Sequence, residues 1–135
     1  MRACSIDYGC GSGILAIVAA KLGAGRCTGV DLDAQALQAA SANARANGIV
    51  LEVLAPDALG VATFDRVVAN ILTNPLVALA PVLAARVRPG GELALAGLLD
   101  EHADEVASAY ACWFTLRAGK RREGWTLLQG RRLAA

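Results

Sequence analysis

Three glycines alternate over residues 9–13, just behind an acid, Asp7, and just ahead of an apolar run. Glycine this dense lets a backbone approach a ligand closely and turn without a Cβ clash. Asp31 comes 20 residues after Gly11, at the end of a second apolar stretch. A carboxylate at that interval, behind a second strand, is placed to accept the two hydroxyls of a ribose. Two ligand chemistries then compete: a dinucleotide, or a nucleoside with a cationic chain such as S-adenosylmethionine. Dinucleotide loops run G-x-G-x-x-G. The spacing here is G-x-G-x-G. A pyrophosphate beside Asp7 would be repelled, whereas an ammonium or a sulfonium would be attracted. The residues therefore favour the cationic ligand.

The elements that must position these groups alternate along the chain. Residues 2–7 read as a short strand ending at Asp7, and 13–24 as a helix stopped by Gly23 and Gly25. Residues 26–33 read as a second strand and 34–48 as an amphipathic helix closed by Asn47 and Gly48. A third strand covers 49–54 and a fourth 64–72. Residues 75–87 read as a helix, with Pro75 in its first turn and Pro81 kinking or breaking it. A turn at 88–91 precedes a fifth strand over 92–99, then a helix over 100–110 with acids in its first turn. Residues 113–132 read as two strands around a loop at 119–124. Five βα units and a closing hairpin predict an α/β fold: a doubly wound, Rossmann-like, mostly parallel seven-stranded sheet with a C-terminal antiparallel hairpin. In such sheets ligands bind at the carboxyl ends of the central strands, where loop 9–13 and Asp31 fall.

Composition narrows the function classes. The chain has 135 residues, the size of one domain, and is 56% hydrophobic. A net charge of +1 and 4% aromatic residues give no global field for nucleic acid and little surface for stacking bases. No stretch is long enough to span a membrane and no secretory leader is expected, so a cytoplasmic domain is the expectation. The four cysteines form no C-x-x-C pair, so neither a metal site nor a disulfide is expected. His102 lies in an acidic stretch and is expected on a solvated helix. Lys120, Arg121, Arg122, Arg131 and Arg132 are expected on a solvated hairpin tip, without ribosomal RNA contact. Trp113, Phe114 and Trp125 are expected to pack the hairpin onto the sheet.

The segments Asp-Tyr-Gly-Cys-Gly-Ser-Gly (7–13), Gly-Val-Asp-Leu-Asp (29–33) and Val-Val-Ala-Asn-Ile-Leu (67–72) resemble class I S-adenosylmethionine-dependent methyltransferases. More narrowly, the Asn-Ile-Leu segment in its context resembles the bacterial methyltransferases of ribosomal large-subunit protein eleven, over nearly the whole chain. The resemblance implies S-adenosyl-L-methionine as cofactor and amino groups of that ribosomal protein, a lysine side chain or the N-terminal amine, as acceptor. It implies that Gly9, Cys10, Gly11 and Gly13 border the methionine part, with Asp7 near its ammonium. Asp31 would hold the ribose, and Asp57 with Ala58 the adenine amine. Asp33 reads as a cap for the second helix.

Asn70 would face the methyl group and act catalytically. Many relatives that methylate amines and amides have Asn/Asp-Pro-Pro-aromatic there. Asn70-Ile71-Leu72 lacks the aromatic that planar substrates stack on, which favours a flexible amine. The family's substrate-gripping N-terminal domain and its cofactor-covering segment are not matched in these residues. The chain is therefore expected to be a single cofactor-binding domain that methylates poorly alone. A small-molecule methyltransferase, a nicotinamide-dependent oxidoreductase and an inactive cofactor-binding module remain as alternatives.

Overall fold

The computed structural model describes residues 4–23 and 25–133. Strands β1 (Ser5–Tyr8), β2 (Cys27–Val30), β3 (Glu52–Leu54), β4 (Phe64–Asn70), β5 (Val87–Leu99), β6 (Arg117–Arg122) and β7 (Trp125–Arg131) form one sheet in the order β3-β2-β1-β4-β5-β7-β6. β1 to β5 pair in parallel, while β7 is antiparallel to both β5 and β6. The order reverses between β1 and β4, and that switch point is where open α/β sheets bind ligands. The expected doubly wound sheet with its closing hairpin is the observed one.

β1 and β2 have almost no exposed residue because they lie at the centre, so they need no polar alternation. On one face Ile6, Tyr8, Val67, Ala69, Leu93 and Leu95 meet Leu76, Leu83, Val106 and Tyr110 from helices α3 (Thr73–Ala78), α4 (Ala80–Arg86) and α5 (Ala103–Ala109). Tyr110 is fully buried, and its hydroxyl donates to the Leu76 carbonyl at 2.7 Å. Helices α1 (Ile14–Lys21) and α2 (Ala34–Ala46) follow β1 and β2.

Several boundaries differ from the sequence expectation, each for a local reason. Pro81 breaks the expected long helix into α3 and α4 at Leu79, because a proline cannot donate to the preceding turn. The turn expected at 88–91 is absorbed into β5 as a bulge. Phe64 pairs with Val87 and Arg66 with Glu92, so β5 carries three more residues than β4 across that span. The expected hairpin loop at 119–124 is a two-residue turn. Arg122 pairs directly with Trp125, and Glu123 and Gly124 both have positive φ (51° and 86°). That geometry matches the twist of the flanking strands.

Candidate functional site

Loop 9–13 leaves β1 under tight backbone control. The Gly9 and Cys10 N–H groups donate to the Val30 carbonyl at 2.7 and 2.9 Å, and the Gly13 N–H to the Cys10 carbonyl at 2.8 Å. The Gly11 N–H donates to Asp31 Oδ2 at 3.0 Å. These four donors are thus committed inside the protein. A dinucleotide loop works by offering such N–H groups to a pyrophosphate. This loop offers glycine surface instead. Gly13 has φ +85°, and a Cβ there would stand 2.9 Å from the Cβ of Ala40 on α2, so only glycine lets helix and loop come this close. Gly29 on β2 makes room in the same way for Cys10, whose Sγ lies 3.0 Å from where a Cβ would be. The Cys10 side chain is therefore buried against the sheet, and only its backbone faces the loop surface. Burial, with help from the charges of Asp7 and Asp31, pushes its thiol up to about 11, which keeps it protonated.

Asp31 stands just beyond β2. Its Oδ1 accepts from the Asp33 N–H at 3.0 Å while Oδ2 holds Gly11, so the carboxylate is fixed at the loop with lone pairs to spare. Asp33 caps α2 through the Gln35 N–H at 2.9 Å, as expected. Asp57 is exposed in the 3-10 turn Pro56–Leu59, beyond the carboxyl end of β3, and its carboxylate has no hydrogen bond among the described residues. The Ala58 N–H is taken by the Ala55 carbonyl at 3.0 Å, and Ala58 lines a separate cavity with Cys4, Arg26 and Glu52 at the amino ends of β1 to β3. Asp57 thus lies beyond the carboxyl end of β3, while Ala58 borders that other cavity.

Asp7 is 2% exposed, and neither carboxylate oxygen has a hydrogen-bond partner. It lies on the floor of a groove between α1 and the sheet, among Leu15, Val18, Leu22 and Val68. Burial pushes its pKa up to about 6, the N–H of Ala16 in the first turn of α1 offsetting part of that rise and the charge of Asp31 adding to it.

Asn70 ends β4, exposed, next to loop 9–13: the Ile71 Cδ1 lies 3.3 Å from where a Cβ on Gly9 would stand. Behind Asn70 is a residue that sequence reasoning missed. Gly97 on β5 has φ +88°, and a Cβ there would fall 2.5 Å from the Ile71 carbonyl oxygen and 2.8 Å from Asn70 Oδ1. Gly97 sits in a bulge opposite β7, where Leu95 pairs with Leu128 but Leu98 with Thr126. The signal was there, since a glycine inside a strand marks a bulge or a close approach. Sequence reasoning also misplaced His102. It is half-buried, and its Nδ1 lies 3.1 Å from the Thr73 hydroxyl at the start of α3, a partner 29 residues away that no local pattern reveals. Phe114 packs in the core as expected, but Trp125 is 47% exposed and lines a cavity instead.

Loop 9–13, with four of its five N–H donors committed, Asp31 just beyond β2 and Asn70 at the end of β4 thus lie at the carboxyl ends of the central strands. Comparison with known proteins decides the family. The profile described as ribosomal protein L11 methyltransferase (PrmA) matches residues 2–133.

The chain belongs to the ribosomal protein L11 methyltransferase family.

A relative of that name from Bordetella parapertussis is 56% identical over 125 residues, which are 93% of this chain and 41% of the relative. The chain spans about two fifths of the length of the curated relatives it matches. The crystal structure of the ribosomal protein L11 methylase from Lactobacillus delbrueckii subsp. bulgaricus superposes with a TM-score of 0.88 at 31% identity, covering 98% of this chain and 71% of that one. The T. thermophilus 16S rRNA N2 G1207 methyltransferase, solved with AdoMet and guanosine, shares the fold alone, with a TM-score of 0.80 at 23% identity over 96% of this chain and 37% of that one. Among the described residues of this L11 methyltransferase family member, no helix is long and apolar enough to cross a membrane, and no group of three or more His, Cys, Asp or Glu could hold a metal ion.

Proposed function

We propose that this domain binds S-adenosyl-L-methionine and transfers its methyl group to amino groups of ribosomal protein L11, a lysine side chain or the N-terminal amine. The observation that carries the reading is Asp7. A buried carboxylate without a hydrogen-bond partner, beside a loop with four of its five N–H donors already committed, suits a cation better than a phosphate. The methionine ammonium is that cation. Gly9, Cys10, Gly11 and Gly13 border the methionine part through backbone surface, Asp31 accepts the ribose hydroxyls, and Asp57, with Ala58 beside it, takes the adenine amine.

When bound, the cofactor supplies an electrophilic methyl group on sulfur. The chain's own part is orientation. The Asn70 side-chain oxygen accepts hydrogens of the acceptor amine and aims its lone pair along the line to the methyl carbon. The amine must arrive neutral, and its proton leaves to water after transfer, so no titrating base is required. Most of the rate then comes from proximity, where a misplacement of about 1 Å can cost roughly 100-fold. The cytoplasm, where ribosomes are made, is the matching compartment.

The test is calorimetry of the chain with S-adenosylmethionine, S-adenosylhomocysteine and NAD, followed by transfer of a tritiated methyl group to ribosomal protein L11. Binding of the two sulfur nucleosides without NAD is expected. Binding of NAD alone would overturn the cofactor reading; since the chain alone is expected to methylate poorly, the acceptor reading would be overturned by cofactor binding without label on any L11 amine when these residues replace the matching segment of a full-length relative.

A further inference from the structure

Residues 57–63 carry the chain from the 3-10 turn Pro56–Leu59 to β4, and all of them except Leu59 are exposed. The turn ends at Gly60, whose φ of 58° and ψ of −126° form a conformation that residues with a Cβ rarely adopt. Two backbone bonds stiffen the segment, from the Ala58 N–H to the Ala55 carbonyl and from the Ala62 N–H to the Leu59 carbonyl. A surface segment with so few buried groups opens readily unless something outside it holds it down. Asp57 sits in it, and the direction of its carboxylate depends on how the turn is held.

One long side chain reaches across to this segment. Arg86 is the last residue of α4, and its Nη1 donates to the Gly60 carbonyl at 2.8 Å and to the Ala62 carbonyl at 3.0 Å. The next residue, Val87, pairs with Phe64 at the start of β4, so the sheet fixes the gap that the arginine spans. Bonds from a charged donor are roughly twice as strong as neutral ones. Arg86 takes part in none of the described ion pairs, and its Nε is buried without a hydrogen-bond partner. Burying that N–H costs stability that an arginine swung out to solvent would keep. The inward position is offset by the two carbonyls it reaches.

We propose that Arg86 is a positioning residue for the adenine end of the site: by clamping the exit of the turn it directs the Asp57 carboxylate, and so sets the preference for an amino purine over an oxo purine. This rests on the methyl-transfer reading above, in which Asp57 takes the adenine amine. A basic residue at a helix end also complements the helix dipole, but a lysine does that equally well. Its ammonium stands on a shorter stem and lacks the planar fork, so it does not replace the clamp.

The test is calorimetry of the chain and its variants with S-adenosylhomocysteine and with S-inosylhomocysteine, in which oxygen replaces the purine amine. The parent is expected to prefer the adenosyl compound about tenfold or more, because the inosyl compound leaves Asp57 without a donor. Arg86→Met and Arg86→Lys should both shrink that preference about three- to tenfold, by weakening the adenosyl compound and leaving the inosyl compound nearly unchanged. Asp57→Ala should abolish the preference, and adding Arg86→Met to it should change the ratio no further. Urea melts confirm that each variant is folded. Parallel weakening of both ligands in the Arg86 variants would make Arg86 a support of the fold alone and overturn the proposal, with the cofactor reading intact. A preference that Arg86→Met still lowers in the Asp57→Ala background would show that Arg86 acts elsewhere and overturn it too. A parent that binds both compounds equally would overturn the adenine assignment and this proposal together, whereas a parent that binds neither would overturn the cofactor reading itself.

Discussion

Replacing Asp7 by Asn should make the ligand-free chain more stable above neutrality and a poorer binder of its cofactor. Asp7 is 2% exposed without a hydrogen-bond partner, and burial raises its pKa from 3.8 to about 6. For an acid with the folded value above the unfolded one, the native state holds its proton to higher pH. Between about pH 4 and pH 6 the native state therefore binds more protons than the unfolded chain, and stability falls as pH rises through that window. Below it the cost is absent, and above it the cost is complete. Each pH unit is worth about 1.4 kcal/mol, so the full cost is about 3 kcal/mol.

Asn carries no charge but still buries an amide without partners, which reduces the gain to about 1–2 kcal/mol. For a domain of this size that is roughly 3–10 °C in melting temperature at about pH 8 and close to nothing near pH 4.5. Paired thermal melts of parent and Asp7→Asn across this range measure it. An Asn variant no more stable than its parent at pH 8 would mean that Asp7 is not a stranded charge. The second readout is independent. Losing the anion opposite the methionine ammonium should weaken S-adenosylhomocysteine about tenfold or more. A variant that gains stability and keeps its affinity would retain the burial argument and remove Asp7 from the ligand.

Asp31→Ala should weaken cofactor binding by about 1–3 kcal/mol in calorimetry, because the ribose hydroxyls and the Gly11 and Asp33 N–H groups all lose their acceptor. Unchanged affinity would dismiss the ribose assignment. Asn70→Ala, assayed in a full-length relative of the family, should lower methyl transfer at least tenfold with near-normal cofactor affinity, and full turnover would exclude it from the mechanism. Gly97→Ala should cost about 2–4 kcal/mol in urea melts, since φ is +88° and the new Cβ would stand 2.5 Å from a carbonyl oxygen. A variant of parental stability would mean that the β4–α3 turn yields easily.

The sheet, the loop, Asp31 and the Asp33 cap were legible because each depends on neighbours in sequence. Apolar runs bounded by turns, glycines at fixed offsets and an acid before a helix are local signals. What escaped depends on tertiary partners. The approach of Gly97 to the Asn70–Ile71 turn needs β5 beside β4, and the half-burial of His102 needs Thr73 across the fold. The hairpin turn was misread because Gly119 and Gly124 both look like loop residues. Only pairing to β7, with a register shift between Ala118 and Arg121, keeps Gly119 inside β6. Asp7 was legible as an acid just ahead of the glycine loop, but its lack of a hydrogen-bond partner is a property of packing.

The sheet divides its chemistry at the switch point. On one side the carboxyl halves of β1 to β3 and the turns after them carry Asp7, Asp31 and Asp57, and four of the five N–H donors of loop 9–13 are committed. On the other, β6 and β7 present Lys120, Arg122 and Trp125. Asn70 stands at the boundary, at the end of β4. The β5 bulge at Gly97 supports it from behind, where any side chain would strike the Asn70–Ile71 turn. Orientation of the amine thus hangs on a backbone contact between β4 and β5. Gly97→Ala should accordingly depress turnover more than it weakens the cofactor. If cofactor affinity collapsed along with the rate, the two sides would be one coupled site and this division would be wrong.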